Sequence, residues 1–308
     1  MSIKHLLLIV CITASAFVTA KSDSAYLYVL GVAQDAGYPQ AGCYQPHCMR
    51  GWQNPELRRG ATSIALIDPV AKIKVLFEAT PNLPQQLYIL EKEAPSAQYQ
   101  FDGVFLTHAH MGHYAGLMFF GHEAMGGKQI PVYAMPKMTD YLTNNGPWSQ
   151  LVEYGNIVLR PLQHNHAQDI ASQTVTPLLV PHRDEFSETV GYVIESANKT
   201  ALFIPDINKW SVWDTDIAQL IKRVDYALLD ATFFGNDELP GRDMSKVPHP
   251  LVTETMQKLS GLSLEHRNKV WFIHMNHTNP LLDPQSKQTK QVRAAGFNIA
   301  EEGIRLAL

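Results

Sequence analysis

The stretch Phe105-Leu106-Thr107-His108-Ala109-His110-Met111-Gly112-His113 is the most informative part of this sequence. It continues an apolar run that begins at Val104 and is typical of a buried strand. Three histidines then follow within six residues, in the pattern H-x-H-x-x-H. A strand that ends in a tight loop can direct several imidazoles at one point, and neutral imidazole is the commonest metal-ligand side chain. The stretch therefore predicts a metal site at a strand end.

Composition places the chain among globular proteins. It has 308 residues, of which 45% are hydrophobic and 18% charged, so a sizeable core is expected and disorder is not. The formal net charge is −4 and lysines and arginines do not cluster, which argues against a nucleic-acid partner. The length fits one α/β domain, and we expect residues 21–308 to form it.

The first twenty residues have the layout of a secretory signal peptide. Lys4 precedes an apolar run from Leu6 to Val18, and Val18-Thr19-Ala20 offers small residues for cleavage. The run is too short and too rich in Ala, Ser and Thr for a membrane span of about 20 residues. We therefore expect residues 1–20 to be removed, and the mature chain to be periplasmic or secreted without stable membrane insertion.

Two cysteines of the expected mature chain, Cys43 and Cys48, lie in one short polar loop. An oxidising compartment favours a disulfide between them. The alternative is a small structural zinc site with His47 as a third ligand, which leaves a tetrahedral site one ligand short. The sequence leaves both alternatives open.

Strand-like and helix-like segments alternate along the chain. Strand patterns cover Tyr26 to Val32, Thr62 to Asp68, Ile73 to Glu78, Phe101 to Thr107, Ile157 to Leu162, Thr174 to Val180, Val190 to Glu195, Ala201 to Ile204, Asp225 to Leu229 and Val270 to Ile273. Helical patterns cover Asn82 to Glu93, Tyr114 to Met125, Trp213 to Arg223, Leu251 to Leu259 and Pro284 to Ala295. This alternation predicts an α/β fold.

Five of the apolar runs are followed by a side chain that is acidic or can bind a metal. These side chains are His108, His182, Asp206, Asp230 and His274. Sites at strand ends are well defined because the sheet fixes the backbone there. An aspartate after a strand is often only a turn former, but the recurrence predicts a shared site.

The order of these residues resembles that of the metallo-β-lactamase superfamily, whose signature is H-x-H-x-D-H. Within the superfamily the chain is most similar to the coenzyme PQQ synthesis protein B (PqqB-like) branch. The segments that carry this resemblance are Val29-Leu30-Gly31, the loop from Gly37 to Cys48, Pro181-His182-Arg183-Asp184-Glu185, Leu229-Asp230-Ala231-Thr232, Gly241-Arg242-Asp243-Met244 and Phe272-Ile273-His274-Met275-Asn276-His277-Thr278-Asn279-Pro280. The resemblance implies a four-layer αββα sandwich, in which two mixed β-sheets are flanked by helices.

The resemblance also implies a role for each candidate ligand. A first metal would be held by His108, His110 and His182. A second would be held by His113, Asp206 and His274, with Asp206 bridging the two metals. Asp206 and His274 are then the expected catalytic residues. The expected cofactor is one or two zinc ions per chain, with iron as the alternative.

Gly112 is a departure from the family pattern, because an aspartate usually stands there. Its absence leaves the second ligand set open, and His249, His277 and Asp230 are candidates to complete it. We expect an aspartate introduced at position 112 to tighten binding of the second metal.

The expected function is metal-dependent hydrolysis of an ester, amide, lactone or phosphoester in a small-molecule or peptide substrate. Zinc lowers the pKa of water from about 15.7 to roughly 7 and so supplies a nucleophile at neutral pH. The PQQ branch implies an alternative, a non-haem iron oxygenase acting on a tyrosine-containing peptide, and two histidines with one carboxylate suit that metal. A third alternative, suggested by Gly112, is a non-catalytic metal-binding accessory protein.

Overall fold

The computed structural model describes residues 24–308, and the expected signal peptide lies outside these residues. One sheet, sheet 1, is built from β1 (Tyr26–Gly31), β2 (Ser63–Asp68), β3 (Ile73–Phe77), β4 (Gln100–Phe105), β5 (Ile130–Ala134), β6 (Ile157–Pro161) and β14 (Arg305–Ala307). Sheet 2 is built from β7 (Gln168–Ile170), β8 (Gln173–Leu179), β9 (Val190–Glu195), β10 (Thr200–Ile204), β11 (Tyr226–Asp230), β12 (Val270–Ile273) and β13 (Asn298–Ile299).

Helices connect and cover the strands. The α-helices are α1 (Pro46–Gln53), α2 (Leu83–Glu93), α3 (Met111–Tyr114), α4 (Pro136–Asn144), α5 (Trp148–Glu153), α6 (Ile217–Arg223), α7 (Val252–Lys258), α8 (Leu264–Arg267) and α9 (Lys287–Ala294). Short 3₁₀ helices cover Pro55–Leu57, Ala115–Phe120, Trp210–Val212, Met244–Lys246 and Pro280–Leu282. Within residues 24–308, every helix is too short or too polar to cross a membrane.

Both sheets are mixed, and they share one pattern of pairing. Sheet 1 has the order β14-β1-β2-β3-β4-β5-β6, antiparallel from β14 to β3 and parallel from β3 to β6. Sheet 2 has the order β13-β12-β11-β10-β9-β8-β7, antiparallel from β7 to β10 and parallel from β10 to β13. The parallel strands matter for function, because their carboxyl ends meet at one edge of each sheet.

Alternating side chains of sheet 1 build two separate cores. In β2, Ile64 and Leu66 point into the core between the sheets, whereas Ala65 and Ile67 pack with the outer helices. This two-residue period is the one that a strand imposes when both of its faces are buried. Side chains of α6, α7 and α9 cover the far side of sheet 2, including Ile217, Val252 and Val292. The four-layer α/β arrangement predicted from the sequence is thereby confirmed.

The segment after the histidine motif differs from its prediction as a helix from Tyr114 to Met125. The structure has α3, which ends at Tyr114, followed by a 3₁₀ helix over Ala115–Phe120. The carbonyl of His113 accepts a hydrogen bond from the Ala79 amide (2.9 Å), and the Gly116 amide donates to the Ala79 carbonyl (2.8 Å). Because the His113 carbonyl and the Gly116 amide are hydrogen-bonded to Ala79, they cannot make the hydrogen bonds of a regular α-helix through this segment.

Phe77 tests the packing between the two sheets. Its ring is fully buried and lies 5.2 Å from Phe105 and 5.4 Å from Tyr192, between ring centroids. Truncation leaves a cavity between the sheets, so Phe77→Ala is expected to lower the free energy of unfolding by about 3–5 kcal/mol. Denaturant unfolding measures this. Tyr88→Ala is the control, since Tyr88 is exposed and its truncation should cost less than about 1 kcal/mol. Equal losses in the two variants would contradict the packing described here.

Candidate metal centre

The polar side chains of the site lie at or just after the ends of strands in both sheets. Glu78 directly follows β3, and His108 follows its parallel neighbour β4. In sheet 2, the parallel strands β10, β11 and β12 lead to Asp206, Asp230 and His274. The carboxyl ends of the parallel strands thus place the side chains that follow sheet 1 close to those that follow sheet 2.

Four of the predicted ligands form a compact group, the first donor set, made of His108, His110, His182 and Asp206. The Nε2 atom of His182 lies 3.2 Å from His110 Nδ1 and 3.3 Å from Asp206 Oδ2, and His108 Nε2 lies 3.4 Å from the same oxygen. Ligands about 2.0 Å from a tetrahedral zinc are roughly 3.3 Å from each other. The spacing of the first donor set therefore fits a tetrahedral cation, with His108 Nε2 and His110 Nδ1 somewhat closer at 2.8 Å.

Each histidine of the first donor set is held through its other ring nitrogen. His108 Nδ1 lies 2.9 Å from Thr107 Oγ1, whose hydroxyl donates to Glu78. His182 Nδ1 lies 3.2 Å from the Asn208 side-chain oxygen, and His110 Nε2 lies 2.9 Å from Glu185. An oxygen that accepts from one ring nitrogen leaves the lone pair of the other nitrogen free for a metal.

The second histidine pair, His113 and His274, lies beside the first donor set. The Nε2 atom of His113 is 3.8 Å from Asp206 Oδ2, so this oxygen lies between the two groups. His113 Nδ1 is 3.2 Å from Glu78 Oε1, and His274 Nδ1 is 3.0 Å from the Thr232 hydroxyl, which donates to Asp230. Both Nε2 atoms are fully buried and make no hydrogen bond. Such atoms are costly unless something binds them, and a cation between them fits.

The carboxylates of Asp206 and Asp230 both contact the imidazole of His249. The Nδ1 atom of His249 lies 2.9 Å from Asp230 Oδ2 and 3.2 Å from Asp206 Oδ1. Burial lowers the pKa of His249, but the two carboxylates outweigh it and raise the pKa to about 10. The sequence left open whether His249 and Asp230 reach the site, and the structure places both there.

Burial decides the charge of several histidines. It lowers the pKa of His108 well below the usual value and also lowers those of His110 and His274. These rings are therefore neutral near pH 7, the form that binds metals. His113 differs, because the carboxylates of Glu78 and Asp35 outweigh its burial and hold its pKa well above the usual value. A cation at its Nε2 would take the place of that proton.

The backbone is strained at three points around the histidines. Asp35, Glu78 and His274 have positive φ values of 42°, 79° and 69°. Residues other than glycine rarely adopt this conformation, and when they do it is often at functional sites.

Asp35 and Glu78 are the site residues that sequence reasoning missed. Asp35 Oδ1 lies 3.4 Å from His113 Nε2 and 4.0 Å from His274 Nε2. Although burial opposes ionisation, the neighbouring imidazoles lower the pKa of Asp35 to about 2. Both residues follow strands, and that position was the available signal. Asp35 stands among turn-forming residues after the first strand pattern, and Glu78 ends the strand pattern that begins at Ile73.

The cysteine loop lies apart from the histidine centre. Cys43 and Cys48 form a disulfide, with Cα atoms 5.9 Å apart, so the structure shows the first of the two alternatives. His277, one of the candidates to complete the second ligand set, lies beside the disulfide with its ring 5.7 Å from that of His47, and it is outside the donor groups of the histidine centre.

A cleft of about 520 Å³ opens at the metal centre. Its lining includes Asp35, Arg183, Phe233, Arg242, His249 and Asn276. Of these, Asp35 and His249 belong to the centre itself, and the two arginines supply positive charge. The cleft is large enough for a small-molecule or peptide group.

Comparison with known proteins gives the family. Residues 73–305 match the β-lactamase superfamily domain. The chain belongs to this superfamily. Its members of the coenzyme PQQ synthesis protein B type are similar along nearly the whole chain: the protein from Xanthomonas campestris pv. campestris (strain B100) is 25% identical, with 92% of this chain and 99% of the relative covered. The protein from Methylobacterium sp. (strain 4-46) is 24% identical, with 91% and 99% covered. The PqqB-like resemblance predicted from the sequence is confirmed.

Three solved structures illustrate the fold that this chain shares with known proteins. Zn²⁺-bound PqqB from Methylobacterium extorquens matches with a TM-score of 0.75 at 22% identity, covering 92% of this chain and all of that one. A diphosphatase from the PhnP family matches with a TM-score of 0.63 at 22% identity, covering 92% and 97%. Human tRNase Z, short form, matches with a TM-score of 0.56 at 15% identity, covering 92% and 98%.

Glu78→Gln tests whether the carboxylate of Glu78 contributes to zinc binding by the histidines. The variant keeps the shape of the side chain and removes the charge that lies against His113 and Thr107. We expect the affinity for zinc to fall by about 10–100-fold, because carboxylate partners orient ligating imidazoles and raise their basicity. Chelator competition measures this affinity. The matched control is Glu153→Gln, an exposed residue of α5. Unchanged zinc affinity in Glu78→Gln would show that Glu78 plays no part in the centre.

Proposed function

We propose that the chain is a metal-dependent hydrolase with zinc as its cation. The observation that supports this best is the position of Asp206 Oδ2, which is shared between two groups of buried histidines. It lies 3.3 Å from His182 and 3.4 Å from His108 on one side, and 3.8 Å from His113 on the other. A carboxylate shared in this way is typical of centres that hold two metals for hydrolysis.

Two cations would be held by different side chains. The first would be held by His108, His110 and His182, and the second by His113 and His274, with Asp206 between them. Bound zinc lowers the pKa of water towards 7 and polarises the oxygen of the bond to be cleaved. Burial keeps His108, His110 and His274 neutral. The orientation of the ligating imidazoles is fixed through Thr107, Glu78, Asn208 and Thr232.

His249 is the proposed proton donor to the leaving group. Its Nδ1 is engaged by Asp230 and Asp206, and its ring lines the cleft, which leaves Nε2 for a substrate. The two carboxylates keep the ring protonated, as a general acid requires. A cation beside Asp206 would offset part of their charge and bring the pKa of His249 closer to the working pH.

The cleft favours an anionic substrate among the esters, amides, lactones and phosphoesters expected from the sequence. Arg183 and Arg242 line it, and guanidinium groups bind carboxylate or phosphate through paired hydrogen bonds. Phe233 offers an apolar surface beside them. A small molecule or peptide that carries a carboxylate or a phosphate fits this lining.

Iron-dependent oxygenation of a tyrosine-containing peptide is the second candidate. His113, His274 and Asp206 form a set of two histidines and one carboxylate, which suits non-haem iron. The similarity to coenzyme PQQ synthesis protein B also supports it. Hydrolysis remains the first proposal because the first donor set adds three further histidines and has the spacing of a tetrahedral cation.

Export to the periplasm or the cell exterior is part of the proposal. The N-terminal pattern of a basic start, an apolar run and small residues supports it. The Cys43–Cys48 disulfide supports it too, because disulfides persist in oxidising compartments.

Metal exchange combined with a substrate panel tests the proposed function. The purified chain is stripped with a chelator, reloaded with zinc or Fe(II), and assayed on nitrophenyl esters, anilides, lactones and phosphodiesters. We expect the zinc form to hydrolyse at least one class, with turnover lost on stripping and restored by zinc. Oxygen consumption by the iron form without hydrolysis by the zinc form would favour the oxygenase. Inactivity of both forms would favour an accessory protein.

On a substrate that this panel identifies, His249→Gln tests the proton donor. A poor leaving group, such as an alkoxide, needs a proton, so kcat should fall by about 10²–10⁴-fold. Nitrophenolate leaves without one, so its release should slow far less. Metal content per chain, measured by mass spectrometry, should stay at the wild-type value. Equal losses on both leaving groups would show that His249 does not act as the acid.

A further inference from the structure

The space beside Gly112 is already filled by another part of the chain. A Cβ atom built on Gly112 would lie 2.3 Å from the Cα of Asp35, 2.7 Å from its Cβ and 2.6 Å from its Oδ1. Contacts this short do not occur between unbonded carbon atoms. The volume that a side chain at position 112 would enter is therefore taken by Asp35, so an aspartate introduced at 112 would have to displace Asp35.

The carboxylate of Asp35 faces the two buried imidazole nitrogens that make no hydrogen bond. Its Oδ1 lies 3.4 Å from His113 Nε2 and 4.0 Å from His274 Nε2. Both nitrogens are buried without a hydrogen bond, and the three side chains form a group in which the ligand atoms lie within 4.8 Å of each other. Two imidazoles and a carboxylate at this spacing suit a divalent cation such as zinc.

The loop that carries Asp35 is tied to both sheets. Ala33 bridges Ala61, next to β2, and Met275, which directly follows His274. The Gln34 amide donates to the Met275 carbonyl at 2.8 Å. Asp35 then adopts a left-handed backbone, with φ 42°, a conformation that Asp and Asn tolerate better than other non-glycine residues. These contacts fix the position of Asp35 relative to His274.

We infer that Asp35 supplies the carboxylate of the second cation site, in the place of the aspartate that Gly112 lacks. The ligand comes from the loop after β1 instead of the histidine motif, and Gly112 is required because any side chain there displaces it. The second site is then Asp35, His113 and His274, with Asp206 shared. This inference rests on the proposed two-cation centre and assigns the residue that completes it.

Zinc titration of Asp35→Asn tests the inference. Asn keeps the shape and the backbone preference and removes the charge. Zinc is buffered at graded free concentrations, and bound zinc per chain is counted by mass spectrometry. We expect the wild type to bind two equivalents. Asp35→Asn should bind its first equivalent at the same free zinc concentration as the wild type. Its second equivalent should need a free zinc concentration at least about tenfold higher. The matched control, Asp237→Asn, removes an exposed charge outside both donor groups and should bind both equivalents as the wild type does.

Gly112→Ala gives an independent test, because it removes no ligand atom. Its methyl group should displace Asp35 and weaken the second equivalent while the first is kept, which also shows that the protein is folded. A second equivalent within twofold of the wild type in Asp35→Asn, or only one equivalent in the wild type, would overturn the inference. A wild type that binds two equivalents and hydrolyses nothing would refute the proposed function and leave the inference intact.

Discussion

The carboxylate of Asp206 is buried among imidazoles where the two sheets meet, and the centre is organised around it. A charge in such a place is costly unless opposite charge surrounds it. Burial raises the pKa of Asp206, but His249, His108 and His182 outweigh this and hold the pKa well below its usual value. Asp206 therefore stays negatively charged, and its carboxylate lies between the two groups of histidines.

More negative charge borders the centre than its two protonated histidines, His113 and His249, can balance. The carboxylates around it are those of Asp35, Glu78, Asp206 and Asp230. Burial keeps His108, His110 and His274 neutral, so these rings offer lone pairs in place of positive charge. Divalent cations that take the place of the proton on His113 would supply the positive charge that these carboxylates still lack. The same burial that makes the imidazoles good ligands therefore also favours cations between them.

Much of the fold and part of the site follow from local patterns. The strands before His108, Asp206 and His274 are apolar runs, and each of these candidate ligands comes just after such a run, so the runs were enough to mark them as candidates. Strand β5 (Ile130–Ala134) was missed because it contains Pro131, which weakens a strand pattern. The predicted helix after Tyr114 was wrong because hydrogen bonds to Ala79 override the local preference.

The residues that could not be predicted depend on contacts between distant parts of the chain. Asp35 lies in a loop rich in turn formers, where an aspartate is common for local reasons. Only the bridge from Ala33 to Met275 places it against His274. Gly112 looked like the loss of a ligand, because the filling of its neighbouring space by Asp35 is visible only in three dimensions. The cysteine loop was ambiguous for a similar reason, since its spacing allows either a disulfide or a metal.

Anomalous X-ray scattering from crystals grown with zinc tests the central claim most directly, because it locates each cation without reference to activity. We expect two peaks at the zinc edge on either side of Asp206, about 3.5–4 Å apart. One peak should lie among His108, His110 and His182, and the other between His113 and His274. A lone peak, or zinc bound away from Asp206, would contradict a two-cation centre built on this shared carboxylate.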